Sequence, residues 1–214
     1  MTFPIRRFYD FTKHIQAFFL KVLEGFDNTQ SLVSSFGFQF LLSPIRGRAC
    51  QMNLGASIAK GEILYFVHAD TRIPEDFFND IICSLNENFD AGCYAYKFDS
   101  SSILLKINSW FTKFDGLLSG GGDQTLFITK SVYEELGGFN EYFCIMEDFD
   151  LVRRIRKKHR FKVIPKQILV SARKYETNSW LRVQLVNLLV FALFFLKTPP
   201  SKLKNMYGRL LNYR

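Results

Sequence analysis

The sequence predicts an α/β domain with a mostly parallel sheet flanked by helices, and three observations support this fold class. Residues 63–67 form a short apolar run between Gly61 and Pro74, which is typical of a buried strand. Just upstream, residues 52–59 repeat apolar side chains at i, i+4 and i+7, so we expect a helix that stops at Gly61. Residues 125–128 form a second apolar run after three glycines. Strand and helix signals therefore alternate along the chain, as in α/β proteins.

The 214-residue chain carries a net charge of +8, from 28 basic and 20 acidic residues. This length allows one sizeable hydrophobic core, so residues 1–214 are expected to form a single domain. The charge favours polyanionic partners such as nucleic acid, anionic lipid or a nucleotide diphosphate. No nucleic-acid partner is expected, because the aromatic residues are scattered and are mostly phenylalanines at core-like positions. The four cysteines lack the paired spacing of a zinc site, so we expect reduced thiols in a cytoplasmic setting.

His68 and Asp70 follow directly after the predicted strand 63–67. Side chains at the carboxyl ends of strands in an open α/β sheet lie at the rim where ligands bind. A carboxylate at this rim suits a hard divalent cation together with phosphate oxygens. Taken alone, the strand end rather favours capping of the next helix, since Asp and Thr are routine capping residues.

The segment before this strand adds phosphate-binding chemistry. Arg46 and Arg48 stand at its start, and guanidinium groups match phosphate oxygens in a bidentate manner.

With both motifs in order, residues 27–210 resemble the family 2 glycosyltransferases of GT-A fold. They are similar in particular to a small bacterial subgroup with a Gly-Arg-Ala-x-Gln-Met-Asn-x-Gly-Ala run and a Phe-x-His-Ala-Asp-Thr strand end. The resemblance implies a GT-A-like fold, a nucleotide-sugar donor and a divalent cation, Mg²⁺ or Mn²⁺, at Asp70. His68 occupies the place of the family's usual first acid and is its expected partner at the metal. The residues that the resemblance assigns to donor and phosphate binding are Arg48, Gln51, Asn53 and Gly55.

A glycine-rich segment precedes the second apolar run. Three glycines at residues 120–122 permit close approach of the backbone to a ligand, and Asp123 and Gln124 follow them. The resemblance places Asp123 and Gln124 on the acceptor side.

An acidic pair, Glu147 and Asp148, follows a Leu-Gly-Gly-Phe turn at residues 136–139. The resemblance implies that Asp148 is the catalytic base for the acceptor hydroxyl, and a helix N-terminus is expected to keep it ionised. The alternative is that Asp148 only caps a helix over residues 148–158. The Gln-x-x-Arg-Trp signature of processive relatives does not occur, which favours single transfer over polymerisation.

The front of the chain, residues 1–40, departs from the family pattern. In the family, two opening strands build the pocket for the nucleotide base and ribose. Here Asp27, Asn28 and Thr29 fit only the tail of the second motif, and residues 11–23 carry helical spacing. We therefore expect a front shortened by roughly one strand and one helix.

The C-terminal segment, residues 178–214, is apolar and basic. Its apolar core, residues 185–196, is twelve residues long, below the roughly twenty needed to span a bilayer. Trp180, Arg182 and Lys197 flank it as interfacial anchors do. We expect peripheral attachment to the cytoplasmic face of the cell membrane, in preference to burial of this helix in the core, and such attachment would allow a lipid-linked hydroxyl acceptor.

The leading prediction is a metal-assisted, inverting glycosyltransferase that uses a nucleotide diphosphate sugar. One alternative is an inactive, N-terminally truncated relative that serves as a membrane-associated binding or scaffold protein. A second is a nucleotidyltransferase, which would need a Gly-rich basic phosphate loop near residue 10, where none occurs. The third is a nucleic-acid binder, motivated by charge alone.

Overall fold

A computed structural model describes residues 18–22, 29–116 and 119–212. Its strands are β1 (Phe18–Val22), β2 (Gln39–Ser43), β3 (Ile63–Phe66), β4 (Ala91–Phe98), β5 (Leu126–Thr129) and β6 (Phe161–Val170). Its α-helices are α1 (Thr29–Ser35), α2 (Arg48–Ile58), α3 (Phe77–Asn86), α4 (Ile103–Phe111), α5 (Lys130–Glu135), α6 (Glu147–Lys158), α7 (Trp180–Phe195) and α8 (Pro200–Leu210). A 3₁₀ turn spans Arg173–Tyr175.

The central sheet has the strand order β3-β5-β4-β6. β4 and β6 run parallel, whereas β5 lies antiparallel to both of its neighbours. The α/β fold class is confirmed, and the sheet is mixed because β5 enters it in the opposite direction. The direction of a short apolar strand depends on the strands with which it pairs, because its side-chain pattern is compatible with parallel and with antiparallel pairing.

Helices cover both faces of this sheet. In β5, Leu126 and Ile128 point to the face covered by α2, α5 and α6, whereas Phe127 points to the face covered by α3 and α4. All three side chains are buried. Because successive side chains point to opposite faces and both faces are covered, three consecutive residues of β5 are apolar.

The front of the described chain contains a second, two-stranded sheet. β1 and β2 pair in parallel, with α1 between them in sequence. α2 contacts both strands and also contributes Ala49 and Ala56 to the core of the central sheet. The prediction of helical structure over residues 11–23 is therefore wrong for residues 18–22, where strand pairing overrides an apolar spacing compatible with either structure. The rest of that range, and Asp27 and Asn28, lie outside the described residues.

At the C-terminus, α7 and α8 pack against each other. α7 buries Val183, Val186 and Val190 in a small cluster with Leu211. Its opposite side leaves several leucines exposed, namely Leu181, Leu185, Leu188 and Leu189. In the part of the chain that the structure describes, no helix combines the length and apolarity needed to cross a membrane.

Candidate active site at the strand ends

An acidic pair at the start of α6 forms the centre of the site. Arg48, the first residue of α2, donates through Nη2 to Oδ2 of Asp148 at 2.8 Å. Its Nε lies 3.1 Å from Oε1 of Glu147. One guanidinium therefore holds two adjacent carboxylates, and it ties the N-termini of α2 and α6 together.

Burial raises the pKa values of both Glu147 and Asp148, and the nearby Arg48 charge only partly offsets this effect. Burial thus acts against the expected effect of the helix N-terminus, and the ionised state of Asp148 stays a prediction. Oε1 of Glu147 is buried and makes no hydrogen bond of good geometry within the described residues, so its contact with Arg48 is purely ionic. The two carboxylates are thus enclosed by protein, and one of their oxygens lacks a hydrogen-bond donor.

The start of α6 shows that Asp148 is not its capping residue. Met146 occupies the N-cap position in the left-handed conformation, with φ of 67°, and no side chain caps the helix. α6 begins at Glu147, so Asp148 is the second helical residue and its carboxylate points to Arg48. The capping alternative is therefore wrong.

The turn before α6 is fixed from both sides. Arg154 donates to the carbonyl oxygens of Leu136 and Gly138, each at 2.8 Å. From α2, Asn53 Nδ2 donates to the carbonyl oxygen of Phe139 at 2.9 Å, and Asn53 Oδ1 accepts from the Phe139 N–H at 2.9 Å. These bonds hold in place the segment that leads into the acidic pair.

The strand end after β3 supplies His68 to the same cluster. Arg48 Nη2 lies 3.3 Å from Nε2 of His68. Burial and the Arg48 charge both lower the pKa of His68, which favours the neutral imidazole. Just beyond, Arg72 and Leu169 exchange two backbone hydrogen bonds of 2.8 and 3.0 Å, which pin this strand end to β6.

Asp70 lies in a different environment from the acidic pair. It is exposed, and its nearest charged partner is Arg173, whose Nη2 is 3.4 Å from Oδ2. The carboxylate is therefore accessible to a ligand from solvent.

The described residues contain no group of three His, Cys, Asp or Glu side chains that could hold a metal ion. The described side chains alone therefore do not supply a full set of ligands for a cation. The available pair, His68 and Asp70, fits a cation that takes its remaining ligands from phosphate and water, as Mg²⁺ commonly does.

Asp123 and Gln124 behave differently from each other. Asp123 accepts from Lys174 Nζ at 2.8 Å, and its charge contributes to the electrostatics of both His68 and Asp148. Gln124 is buried: its Nε2 donates to the Tyr94 carbonyl at 2.9 Å, and its Oε1 accepts from the Gly120 N–H at 2.6 Å. Gln124 thus braces the glycine loop against β4, while Asp123 borders the site.

The glycine-rich loop at residues 120–122 requires glycine at its first position. Gly120 has a φ of +90°, and a Cβ there would lie 2.7 Å from Phe161 and 2.9 Å from Val152. Only glycine allows the loop to lie this close to α6 and β6, beside the acidic pair.

The residues predicted to bind the donor are not equivalent. Arg48 lies in the cluster, whereas Gly55 is buried in the middle of α2 and Gln51 is half-buried one turn from the helix start. Asn53 Nδ2 also donates to Glu141 at 2.9 Å, and its Oδ1 also accepts from Tyr133 at 2.6 Å. All four hydrogen-bonding positions of this amide are used within the protein. Donor binding by Asn53 stays a prediction, and in this conformation its side chain has no free group for a ligand.

Sequence reasoning missed Arg173 and Lys174. Burial disfavours the charged form of Lys174, but the adjacent Asp123 carboxylate outweighs this effect and raises its pKa. Both residues belong to the segment Ser-Ala-Arg-Lys-Tyr-Glu at residues 171–176. Two adjacent cations directly after a strand end were the signal that could have pointed to them.

Comparisons with known proteins place this geometry in context. A family model described as "Glycosyltransferase like family 2" matches residues 44–191, more than half of the chain. No curated protein sequence matches the chain.

Several solved structures share the fold. The mannosyltransferase PcManGT from Pyrobaculum calidifontis, in complex with GDP-Man and Mn²⁺, is 16% identical with a TM-score of 0.57, over 89% of this chain and 59% of that one. S. aureus TarS 1-349 is 13% identical with a TM-score of 0.58, over 89% and 60%. Glucosyl-3-phosphoglycerate synthase from Mycobacterium tuberculosis, in complex with UDP, is 12% identical with a TM-score of 0.51, over 70% and 58%.

The chain thus spans less than two thirds of the length of each of these structures, and at such identities the likeness concerns the fold alone. The family model, in contrast, covers the whole acidic and strand-end cluster from Arg48 to Lys174. On that match, this chain belongs to the glycosyltransferase-like family 2.

Proposed function

We propose that this chain is a glycosyltransferase that moves a sugar from a nucleotide diphosphate sugar to a hydroxyl acceptor, with inversion and with a divalent cation. The observation that carries the proposal is the buried pair Glu147–Asp148, bridged by Arg48 at the rim of a family 2 sheet.

Asp148 is the proposed base. As the acceptor oxygen forms its bond to the anomeric carbon and the nucleoside diphosphate leaves, the hydroxyl proton passes to the Asp148 carboxylate. A base works best when its pKa approaches the working pH, and burial raises the pKa of Asp148 in that direction. The unsatisfied Glu147 beside it keeps the site polar and confined.

Arg48 is the proposed contact to the donor diphosphate. Its side chain is about half exposed while it holds the acidic pair, and its Nη2 also reaches His68. The guanidinium has five donors, so contacts to two carboxylates leave capacity for phosphate oxygens.

His68 and Asp70 are the residues that would hold the cation. A divalent cation stabilises the negative charge that develops on the leaving diphosphate. The lowered pKa of His68 favours the neutral imidazole, in which a ring nitrogen can act as a ligand. To hold a cation, Asp70 would give up its exposed contact with Arg173, which would cost little because exposed ion pairs contribute only about 0–1 kcal/mol.

The proteins that share the fold support this donor class. One is a mannosyltransferase in complex with GDP-Man and Mn²⁺, and another is a synthase in complex with UDP. Single transfer, membership of the small bacterial subgroup, and one domain over residues 1–214 remain part of the proposal.

Attachment to the cytoplasmic face of the cell membrane, and a lipid-linked acceptor, are proposed from α7. Exposed Leu185, Leu188 and Leu196 support an interfacial position for this helix. Arg182 is a weaker anchor than its sequence position suggests, because its Nε donates to the Leu210 carbonyl at 2.7 Å.

The proposal is tested by incubating the protein with a panel of UDP- and GDP-sugars, Mn²⁺ and a lipid extract, and by measuring release of the nucleoside diphosphate. Release that requires one donor and one class of acceptor is expected. Binding of nucleotide without release under all conditions would instead favour the inactive binding protein.

A further inference from the structure

An exposed apolar face on α4 has no role in the site described above. α4 buries Leu105 and Ser109, Asn108 is half-buried, and the remaining side chains of the helix are exposed. Ile103 is 73% exposed, Ile107 is 47% exposed and Phe111 is 62% exposed. Apolar surface gathered in this way on a soluble domain marks an interaction site.

The C-terminal end of this face is aromatic. Trp110 packs edge to face against Phe111 and Phe114, with ring centroids 5.1 and 4.7 Å apart. Trp110 and Phe114 are each 53% exposed. Such a cluster provides an apolar body together with the indole N–H of Trp110, the combination enriched at membrane interfaces.

A basic pocket of about 490 Å³ lies beside this face, between α4 and the edge strand β6. Lys97, Lys106 and Lys113 line it together with Trp110, and among the described residues no acidic side chain does. None of these lysines forms an ion pair with a carboxylate of the described residues, and all three are exposed. The nearby Asp99 is engaged elsewhere, because it accepts from the Ala172 N–H at 2.6 Å.

We propose that the apolar face of α4 and the lysine-lined pocket together bind the surface of an anionic phospholipid bilayer. The three ammonium groups contact headgroup phosphates, and Trp110, Phe111 and Phe114 enter the boundary between headgroups and acyl chains. Charge complementarity favours this partner. Lysines without carboxylate partners lie directly beside exposed aromatic rings, and an anionic membrane presents negative headgroups directly above an apolar layer.

This surface is continuous with the neighbourhood of the site. Tyr175 contacts Asn108 of α4 and accepts from Gln184 of α7 at 3.2 Å. The preceding residue, Lys174, holds Asp123 at the edge of the acidic cluster. A membrane bound at α4 therefore lies next to the acceptor side of the domain, and it adds a second contact element to α7.

Vesicle flotation tests the inference without any donor or acceptor. The full chain is mixed with vesicles of phosphatidylcholine alone or of phosphatidylcholine with phosphatidylglycerol. We expect flotation with the anionic vesicles only. The double variant Lys106→Gln/Lys113→Gln should bind about thirtyfold more weakly, since each surface lysine contributes about 1 kcal/mol.

The charge-matched control is Lys157→Gln/Lys158→Gln on α6, which removes the same net charge away from α4 and should bind as the wild type does. Equal loss in this control would overturn the inference, because it would show attraction by net charge alone. Loss only in Leu185→Ser/Leu188→Ser, with α4 variants unaffected, would also overturn it in favour of α7.

Fluorescence separates a bilayer from free phosphate as the ligand. The chain has two tryptophans, so Trp180→Phe leaves Trp110 as the reporter. A blue shift of its emission with anionic vesicles, and none with inorganic phosphate, is expected. Saturable binding of inorganic phosphate without a shift on vesicles would mean a soluble-anion site and would contradict the proposal. Unchanged melting temperatures confirm that the exposed substitutions leave the fold intact.

Discussion

The two acidic halves of the candidate site are built in opposite ways. Glu147 and Asp148 have side chains only 2% and 10% exposed, and Arg48 holds both. Asp70 is 51% exposed, and its partner Arg173 is 57% exposed. The half that we propose to handle the proton is therefore enclosed and held by Arg48, whereas the half that we propose to meet the donor is open to solvent.

This difference has energetic consequences. Removing one partner of a buried ion pair is costly because the other charge remains in a poorly solvated place. Removing one partner of an exposed pair costs about 0–1 kcal/mol, since water replaces it. Substitutions at the acidic pair should thus affect chemistry and stability, and substitutions at the strand end should affect ligand binding.

The largest effect is expected for Asp148→Asn. The amide keeps the shape but cannot accept the acceptor proton, so nucleoside diphosphate release should fall about a hundredfold or more while nucleotide affinity barely changes. Steady-state kinetics and nucleotide titration measure the two quantities. Glu134→Gln, at an exposed carboxylate on α5, serves as the control. Retained turnover in Asp148→Asn would remove Asp148 from the mechanism.

Arg48→Ala should lower the free energy of unfolding by about 2 kcal/mol at pH 7, because it leaves two buried carboxylates without a counter-charge. The value is below the roughly 3–5 kcal/mol of a fully buried pair, since Arg48 is 49% exposed. Urea unfolding measures it. A change below about 0.5 kcal/mol would mean that water, and not Arg48, solvates the pair.

The pH dependence of stability sharpens the contrast further. Because the folded-state pKa values of Glu147 and Asp148 are raised, their contribution to stability is fully present below the ordinary carboxyl pKa. It is lost as the pH rises through the raised values. Asp148→Asn removes one of these titrations, so its stability relative to the wild type should increase from acidic to neutral pH. A constant difference across that range, in urea unfolding curves, would contradict the raised pKa.

The smallest effect is expected for Arg173→Gln at the open half. Its ion pair with Asp70 is exposed, so the free energy of unfolding should change by less than about 0.5 kcal/mol. Freed from this partner, Asp70 should bind Mn²⁺ with nucleotide at least as tightly as in the wild type. Thermal unfolding and titration check both points, and a large loss of stability would show that the two halves are not built differently after all.

Local patterns predicted the elements that carry the site. Gly61 marked the end of α2, the apolar run marked β3, and the acidic pair marked the start of α6. These features depend on residues near in sequence, which a single chain displays directly.

Features that depend on distant partners escaped prediction. The sequence predicts helix where β1 forms, and it predicts a mostly parallel sheet in which β5 in fact lies antiparallel. Pairing with distant strands determines both the presence of β1 and the direction of β5. Asn53 and Gln124 bond to backbone groups 86 and 30 residues away, so their internal roles left no local trace. The face of α4 was missed because an exposed apolar stripe and a core-facing one have the same spacing.

Calorimetric titration with UDP and GDP, with and without Mn²⁺, tests the central claim that the open half binds a nucleotide diphosphate through Asp70 and a cation. The account predicts Mn²⁺-dependent binding to the wild type, loss of that dependence in Asp70→Ala and a smaller loss in His68→Ala, since imidazole is a poorer ligand than carboxylate for such cations. Binding to Asp70→Ala with its Mn²⁺ dependence intact would contradict it.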